Sequence, residues 1–459
     1  MTDMRRTLLW VVFLTSLFLL WDGWNKANGH ASFFGVPTQP VATGASAPGT
    51  VPRPADLPSA SALPGAAPTA ATPAPTAAAP AGQTLVVSTD VVKASFSTVG
   101  GTLTKLQLLK YTDPNEPGGD VLLFDEEGSH AYVAQTGLIT SQPGVALPNH
   151  LTPMTALPGP RTLAPGANEL SVSFESAPVD GRKLIKTYTF KRGDYVITVK
   201  NEFVNDGTTP VNAQLYLQLE RDGSPPPGQS SAYSTFTGPA MYTDSGKYKK
   251  IPFKDIEKGD AEHDKRADSG WIAMVQHYFA SAWIDNSPGQ REFRTAKVGP
   301  NLYSIAMVLP LGEVAPGATR SQTSLLFAGP QEENKLAALA PGLELVKDYG
   351  WLTVIAKPLF WLLSKLHGII GNWGWAIVAL VVLLKAAFFW LNAKAYGSMA
   401  KMKAINPKVM EMRERLKDKP QQMQQEMMRI YREEKVNPLG GCLPIVVQMP
   451  FFISLYWVL

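Results

Sequence analysis

The chain has 459 residues, 17% of them charged, and a formal net charge of only +4, which gives no reason to expect a nucleic-acid partner. Its single cysteine, Cys442, excludes an intramolecular disulfide, and its six histidines are scattered without metal-ligand spacing. No CxxC, HExxH, P-loop or GxSxG motif is present, so catalytic chemistry, nucleotide binding and a resident cofactor have no support in the residues.

Residues 1–24 carry Arg5 and Arg6, then the apolar run TLLWVVFLTSLFLLW. A cleaved signal peptide and an uncleaved transmembrane anchor both fit this pattern. Trp10, Trp21 and Trp24 suit interfacial anchoring and favour the anchor. Residues 25–83 are rich in Ala, Pro and Thr and offer little to bury, which predicts an extended, disordered linker.

From 84 to 335 the pattern changes. Val, Thr, Phe and Tyr alternate with polar residues, as in KLIKTYTFKRGDYVITVKNEFV, and Gly and Pro punctuate the runs. Such punctuated alternation predicts many antiparallel strands, hence one large all-β sandwich domain. The aromatic stretch 270–284 reads as a buried strand pair or a strand followed by a turn, with His277 packed in the fold. Asp120, Asp125, Glu126 and Glu127 read as solvated turn residues.

Residues 343–370 place Trp351, Ile355, Leu359, Leu362, Leu366 and Ile369 at three- and four-residue spacing. This predicts an amphipathic helix, kinked near Pro358, lying in a membrane interface with its apolar face in lipid. An ordinary helix packed on the β domain is the other reading. Within 372–392, the stretch WGWAIVALVVLLKAAFFWL spans 373–391 with one charge, Lys385. Nineteen helical residues rise about 28 Å, enough to cross a hydrocarbon core. A cation there either faces a wet cavity or snorkels to the nearer surface.

Residues 393–439 hold eleven basic and six acidic residues, a net charge of +5 that exceeds the charge of the whole chain. A short loop this basic belongs in the cytoplasm, and Arg5 and Arg6 give the same orientation at the other end. Met399, Met402, Ile405, Val409, Met412 and Leu416 form one helical stripe; Met423, Met427, Ile430 and Tyr431 form another, with Asp418-Lys419-Pro420 between. Two stripes facing each other predict a helical hairpin. Half of the chain's 14 methionines lie here. They either join the two helices or offer an adaptable surface to apolar partners, and the basic residues suit an anionic one. Residues 441–459 form a second membrane-spanning run with Gln448 at membrane depth. The chain stops inside that apolar run, so further membrane segments are expected to follow.

At GNWGWAIVAL, YGSMAKMKAINPKVMEMRERLKD, QQEMMRIYREEKVNPLGGCLPIVVQMPFF, FSTVGGTLTKLQ and GWIAMVQHYFASAWI the chain resembles the YidC/Oxa/Alb family of membrane protein insertases. The resemblance implies an α-helical transmembrane core, a periplasmic β-sandwich and a basic cytoplasmic hairpin, without enzymatic activity or cofactor. Of the five core helices implied after the anchor, two are present. It also implies a cytoplasm-facing hydrophilic groove with a lone positive charge, commonly arginine, on the first core helix. The matching residue here is Lys385, with Gln448 in the same groove. Met399, Met402, Met412, Met423, Met427, Arg413 and Arg415 would receive the substrate or the ribosome. The implied partners are nascent membrane proteins, the Sec translocon, the ribosome and signal recognition components, and the inner-membrane lipid bilayer, but no nucleotide. Two other classes compete on residues alone. A membrane-anchored glycan-binding domain would need an aromatic-and-carboxylate cleft within 84–335. A channel subunit would need repeated polar membrane segments.

Overall fold

A computed structural model describes residues 82–113, 118–126, 130–226, 235–416, 420–434 and 443–459. The expected anchor at 1–24, nearly all of the linker, Glu127, the 417–419 connection and Cys442 lie outside the described residues. The chain divides into two compact units, Met1–Lys347 and Asp348–Leu459.

The first unit contains two nine-stranded antiparallel sheets. In spatial order, one sheet runs Thr84–Ser88, Val92–Ser97, Thr102–Thr112, Tyr132–Thr140, Val211–Asp222, Leu302–Val314, Arg291–Gly299 and Arg266–Ala267, with Asp120–Phe124 added onto Thr102–Thr112. The other runs Lys247–Lys250, Gly238–Thr243, Trp271–Val275, Phe279–Ile284, Ala318–Pro330, Val196–Asn205, Arg182–Lys191, Glu169–Ser176 and Met154–Ala156. Alternation sets the inward faces: Leu184, Tyr188 and Phe190 point inward from one strand, and Ile197, Val199 and Phe203 from its neighbour. Phe96, Phe174, Tyr188 and Phe190 interlock between the sheets, with Phe96 4.7 Å from Tyr188 and 5.4 Å from Phe174. The aromatic stretch forms the strand pair Trp271–Val275 and Phe279–Ile284, which is almost wholly buried. Trp283 donates its indole N–H to the Gln218 carbonyl at 3.0 Å. His277 is only half-buried in the connecting turn, where its Nδ1 lies 2.7 Å from the Thr235 hydroxyl. Two short helices, Phe253–Lys258 (α1) and Glu333–Leu339 (α2), complete this unit with a single 3-10 turn at Leu343–Val346.

The Gly100–Gly101 turn explains the FSTVGGTLTK segment. Both glycines have positive φ, and a Cβ on Gly100 would lie 2.0 Å from the His150 carbonyl oxygen, so only glycine fits there. The turn is fastened across the sandwich. Lys186 donates to the Gly100 carbonyl at 2.6 Å and to the Thr136 carbonyl at 2.7 Å, and the Tyr188 hydroxyl donates to Gly101 at 2.8 Å. Lys186 is fully buried, and burial lowers its pKa from 10.5 to about 7.

A second buried polar group lies on the first sheet. Gln218 donates to Gln135 at 2.9 Å beside Glu220, whose carboxyl is pushed up to about 8 by burial and by the nearby Glu126 charge. A raised carboxyl pKa stabilises the fold below its ordinary value of 4.5, and that contribution is lost as pH rises through about 8. Between pH 5 and pH 7 the wild-type protein is therefore expected to lose roughly 2 kcal/mol of unfolding free energy through this group. Glu220→Gln removes that loss. Chemical denaturation of both proteins at the two pH values measures it, and an unchanged pH difference in the variant counts against a neutral Glu220.

The second unit is helical: Thr353–Ile370 (α3), Trp373–Ala387 (α4), Phe389–Arg415 (α5), Pro420–Glu433 (α6) and Leu443–Val458 (α7). Two features differ from the sequence-based expectation. The helix expected over 343–370 begins at Thr353, because Leu343 and Val346 are buried in the core of the β unit. Pro358 lies within it, in the second turn, where it removes one backbone hydrogen bond. Most of the helix's apolar stripe does not face outward: Leu359 is buried, and Ile355, Leu362 and Leu366 pack against the cluster that α3 forms with Ala376 and Leu380 of α4 and with Leu455 and Val458 of α7, whereas Ile369 is exposed. Helix-on-helix burial thus takes the surface that lipid was expected to cover, leaving Val354, Trp361 and Ile369 exposed. Gly371, in the left-handed conformation, ends α3; Asn372 caps α4 by accepting the Trp375 N–H at 3.2 Å. His367 stacks on Trp373 with centroids 3.8 Å apart, completing this corner.

Candidate functional site

The stretch expected to form one straight span over 372–392 is broken. α4 ends at Ala387, and α5 leaves at 58° to it after Phe388. Lys385 therefore stands in the last turn of α4 instead of inside a continuous helix, and its side chain is exposed. A helix C-terminus carries about half a negative elementary charge, so the local dipole favours a cation there.

The break brings in α7. Phe451 meets Phe388 edge-on with ring centroids 5.0 Å apart. Gln448, half-buried, donates its side-chain N–H to the Asn392 carbonyl oxygen at 2.9 Å. Residues three apart on α7 thus meet residues four apart around the bend, so a single helix face makes both contacts. Among the described residues no hydrogen bond joins Gln448 to Lys385. Asn392 escaped the sequence reading, although an amide seven residues after Lys385 at the end of an apolar run was a usable signal. Lys394 lies 4.1 Å above the Trp390 ring, a cation–π pair on the first turns of α5.

The methionines divide by environment. Met412 is buried with Ile405 and Val409 on α5; Met402 and, on α6, Met423 and Met427 are half-buried. Met399 is 44% exposed, as are Met410 and Met428 at 45% and 55%. Arg413 and Arg415 are exposed, with Arg415 at 4.0 Å from Glu426. Lys408 reaches Glu434 at 2.6 Å, and that hydrogen bond raises the lysine pKa. Because 408 meets 434 and 415 meets 426, α5 and α6 run antiparallel over this stretch. These exposed ion pairs contribute little to stability; the Ile405, Val409 and Met412 contacts carry more of it.

The family model of the YidC periplasmic domain matches residues 84–362, and that of the 60Kd inner membrane protein matches 365–459. A Cupriavidus necator protein named membrane protein insertase YidC is 54% identical over 464 residues, covering 100% of this chain and 81% of its own length. Its Ralstonia nicotianae namesake is 53% identical with the same coverages. A putative aldose 1-epimerase from Escherichia coli K12 aligns with 54% of this chain and 98% of its own at 11% identity and a TM-score of 0.33, too low to bear on fold or activity. Matched from strand Thr84–Ser88 to the end of α7, and sharing half its residues with relatives over its whole length, the chain belongs to the YidC family of membrane protein insertases.

Proposed function

We propose that this protein inserts chains into the bacterial inner membrane by holding the polar part of an incoming segment beside Lys385 and Gln448, in a groove open to the cytoplasm. The observation that carries the reading is the broken α4–α5 segment, which sets Lys385, the one charge of apolar α4, close in sequence to an amide pair joining the start of α5 to apolar α7. Polar groups at membrane depth are costly unless they face water, protein or cargo. Lys385 attracts acidic residues of the crossing tail. The apolar segment then leaves the groove for lipid, and burial of its surface drives the step. The membrane potential assists with about 2.3 kcal/mol per charge per 100 mV, since it pulls negative tails outward.

In this reading residues 1–24 anchor the chain with its N-terminus in the cytoplasm, and 25–370 are periplasmic. α4 crosses inward and α7 outward. α3 lies at the outer interface, with its exposed Val354, Trp361 and Ile369 towards lipid. The antiparallel α5–α6 pair forms a cytoplasmic hairpin. Its exposed methionines and Arg413 and Arg415 receive nascent chains, and its basic surface suits the ribosome and signal recognition components. Cooperation with the Sec translocon belongs to the same proposal, and no step is catalytic. Photocrosslinking tests it. With a photoreactive side chain at 385 of the full-length protein, a stalled nascent membrane protein is expected to crosslink, whereas position 361 is expected to react with lipid. Crosslinks from 361 and none from 385 would place the cargo on the wrong side of the helices.

A further inference from the structure

We propose that Asn392 and Gln448 form an amide clasp between α5 and α7, and that the clasp opens so that Asn392 contacts the polar backbone of an incoming chain. This rests on the insertion reading above and adds a residue and a moving contact to it. The two side chains are carboxamides, and their 2.9 Å bond uses one donor of Gln448 and the acceptor of Asn392. A peptide backbone offers the same chemistry, one N–H and one C=O per residue. The clasp can therefore exchange its internal bond for bonds to any polypeptide, whatever its side chains. A charged pair would select by sign; an amide pair does not.

Its position suits that exchange. Asn392 lies in the first turn of α5, immediately past the 58° break, where α5 departs from the line of α4. The Phe388–Phe451 contact one turn away offers no polar group and seals that side when the clasp is shut. The α3–α4–α7 cluster around Leu359, Leu363, Ala376, Leu380 and Leu455 holds the rest of α7 in place. Opening then needs only local separation near Gln448. Interhelical hydrogen bonds in membranes are modest in strength, weak enough to exchange.

The test tethers the clasp in the full-length protein. In a Cys442→Ser background, Asn392→Cys and Gln448→Cys are joined by a short reducible thiol linker in inverted inner-membrane vesicles. The unlinked double-cysteine protein, which lacks both amides, is expected to insert a single-span reporter more slowly than the wild type; its rate is expected to fall about a further tenfold while tethered and to return to the unlinked level on reduction, as expected for a gating contact. A control tether between His367→Cys and Trp373→Cys, at the α3–α4 corner, is expected to leave the rate unchanged. Insertion that is as fast with the 392–448 tether closed as after its reduction overturns the clasp, and so does equal inhibition by both tethers. A photoreactive side chain at 392 supplies a second readout: crosslinks to a stalled chain support the contact, and their absence overturns it. Crosslinks at 392 without any at 385 would sink the role of the cation while leaving the clasp standing.

Discussion

Lys385→Ala is expected to reduce insertion of substrates with acidic external tails on the order of tenfold, and Lys385→Arg to retain most of it. A partly hydrated ion pair at about 4 Å is worth up to about 4 kcal/mol at an intermediate dielectric, and hydration and screening leave roughly 1–2 kcal/mol. That remainder corresponds to about tenfold. Arginine keeps the charge and adds donors, so it serves the same attraction. Substrates with neutral tails are expected to be affected far less, because alanine removes no apolar wall. Insertion assays in cells depleted of their resident insertase measure both substrate classes. Normal insertion of acidic tails by Lys385→Ala removes the cation from the mechanism.

The second large effect lies in the β unit. Lys186→Ala is expected to destabilise it by about 3–5 kcal/mol, because it opens a cavity and orphans two buried carbonyls together. Lys186→Met fills most of the volume and is expected to recover part of that loss. The pH profile separates the charge from the packing. With its pKa lowered from 10.5 to about 7 in the folded state, Lys186 binds fewer protons folded than unfolded between those values. Stability is therefore expected to rise as pH increases from about 7 towards 10, a rise that Lys186→Met abolishes. Above pH 7 the neutral amine has two N–H donors for the Gly100 and Thr136 carbonyls, so deprotonation keeps both bonds. Denaturant unfolding of the full chain, followed by tryptophan emission, reads this. A flat wild-type profile across that range refutes the assignment.

The sandwich was legible because alternation fixes both the strands and their inward faces, as in Leu184, Tyr188 and Phe190. The same alternation puts Lys186 on the inward face, and Gln218 and Glu220 on one side of their strand. A polar residue at an inward position is indistinguishable by pattern from an outward one until its partner strand is known. The start of α3 is not legible because nothing separates 343–350 from the stripe that opens at Trp351, and only the β core shows that Leu343 and Val346 serve it through a single tight turn. The break after Ala387 was not legible. KAAFFWLNA contains neither Gly nor Pro, and the bend is accompanied by the contacts of Phe388 and Asn392 with a helix more than fifty residues later. Lys385 itself stood out at once, because one charge in nineteen apolar residues needs no tertiary information.

The outward faces of α4 and α7 have a consequence for biogenesis. Val378, Val382, Ile445 and Val446 point away from the helical cluster and remain exposed. In water those surfaces would drive aggregation, so each new copy needs a bilayer before its helical unit can mature. Delivery of each copy therefore has to keep those surfaces shielded from water until they reach lipid.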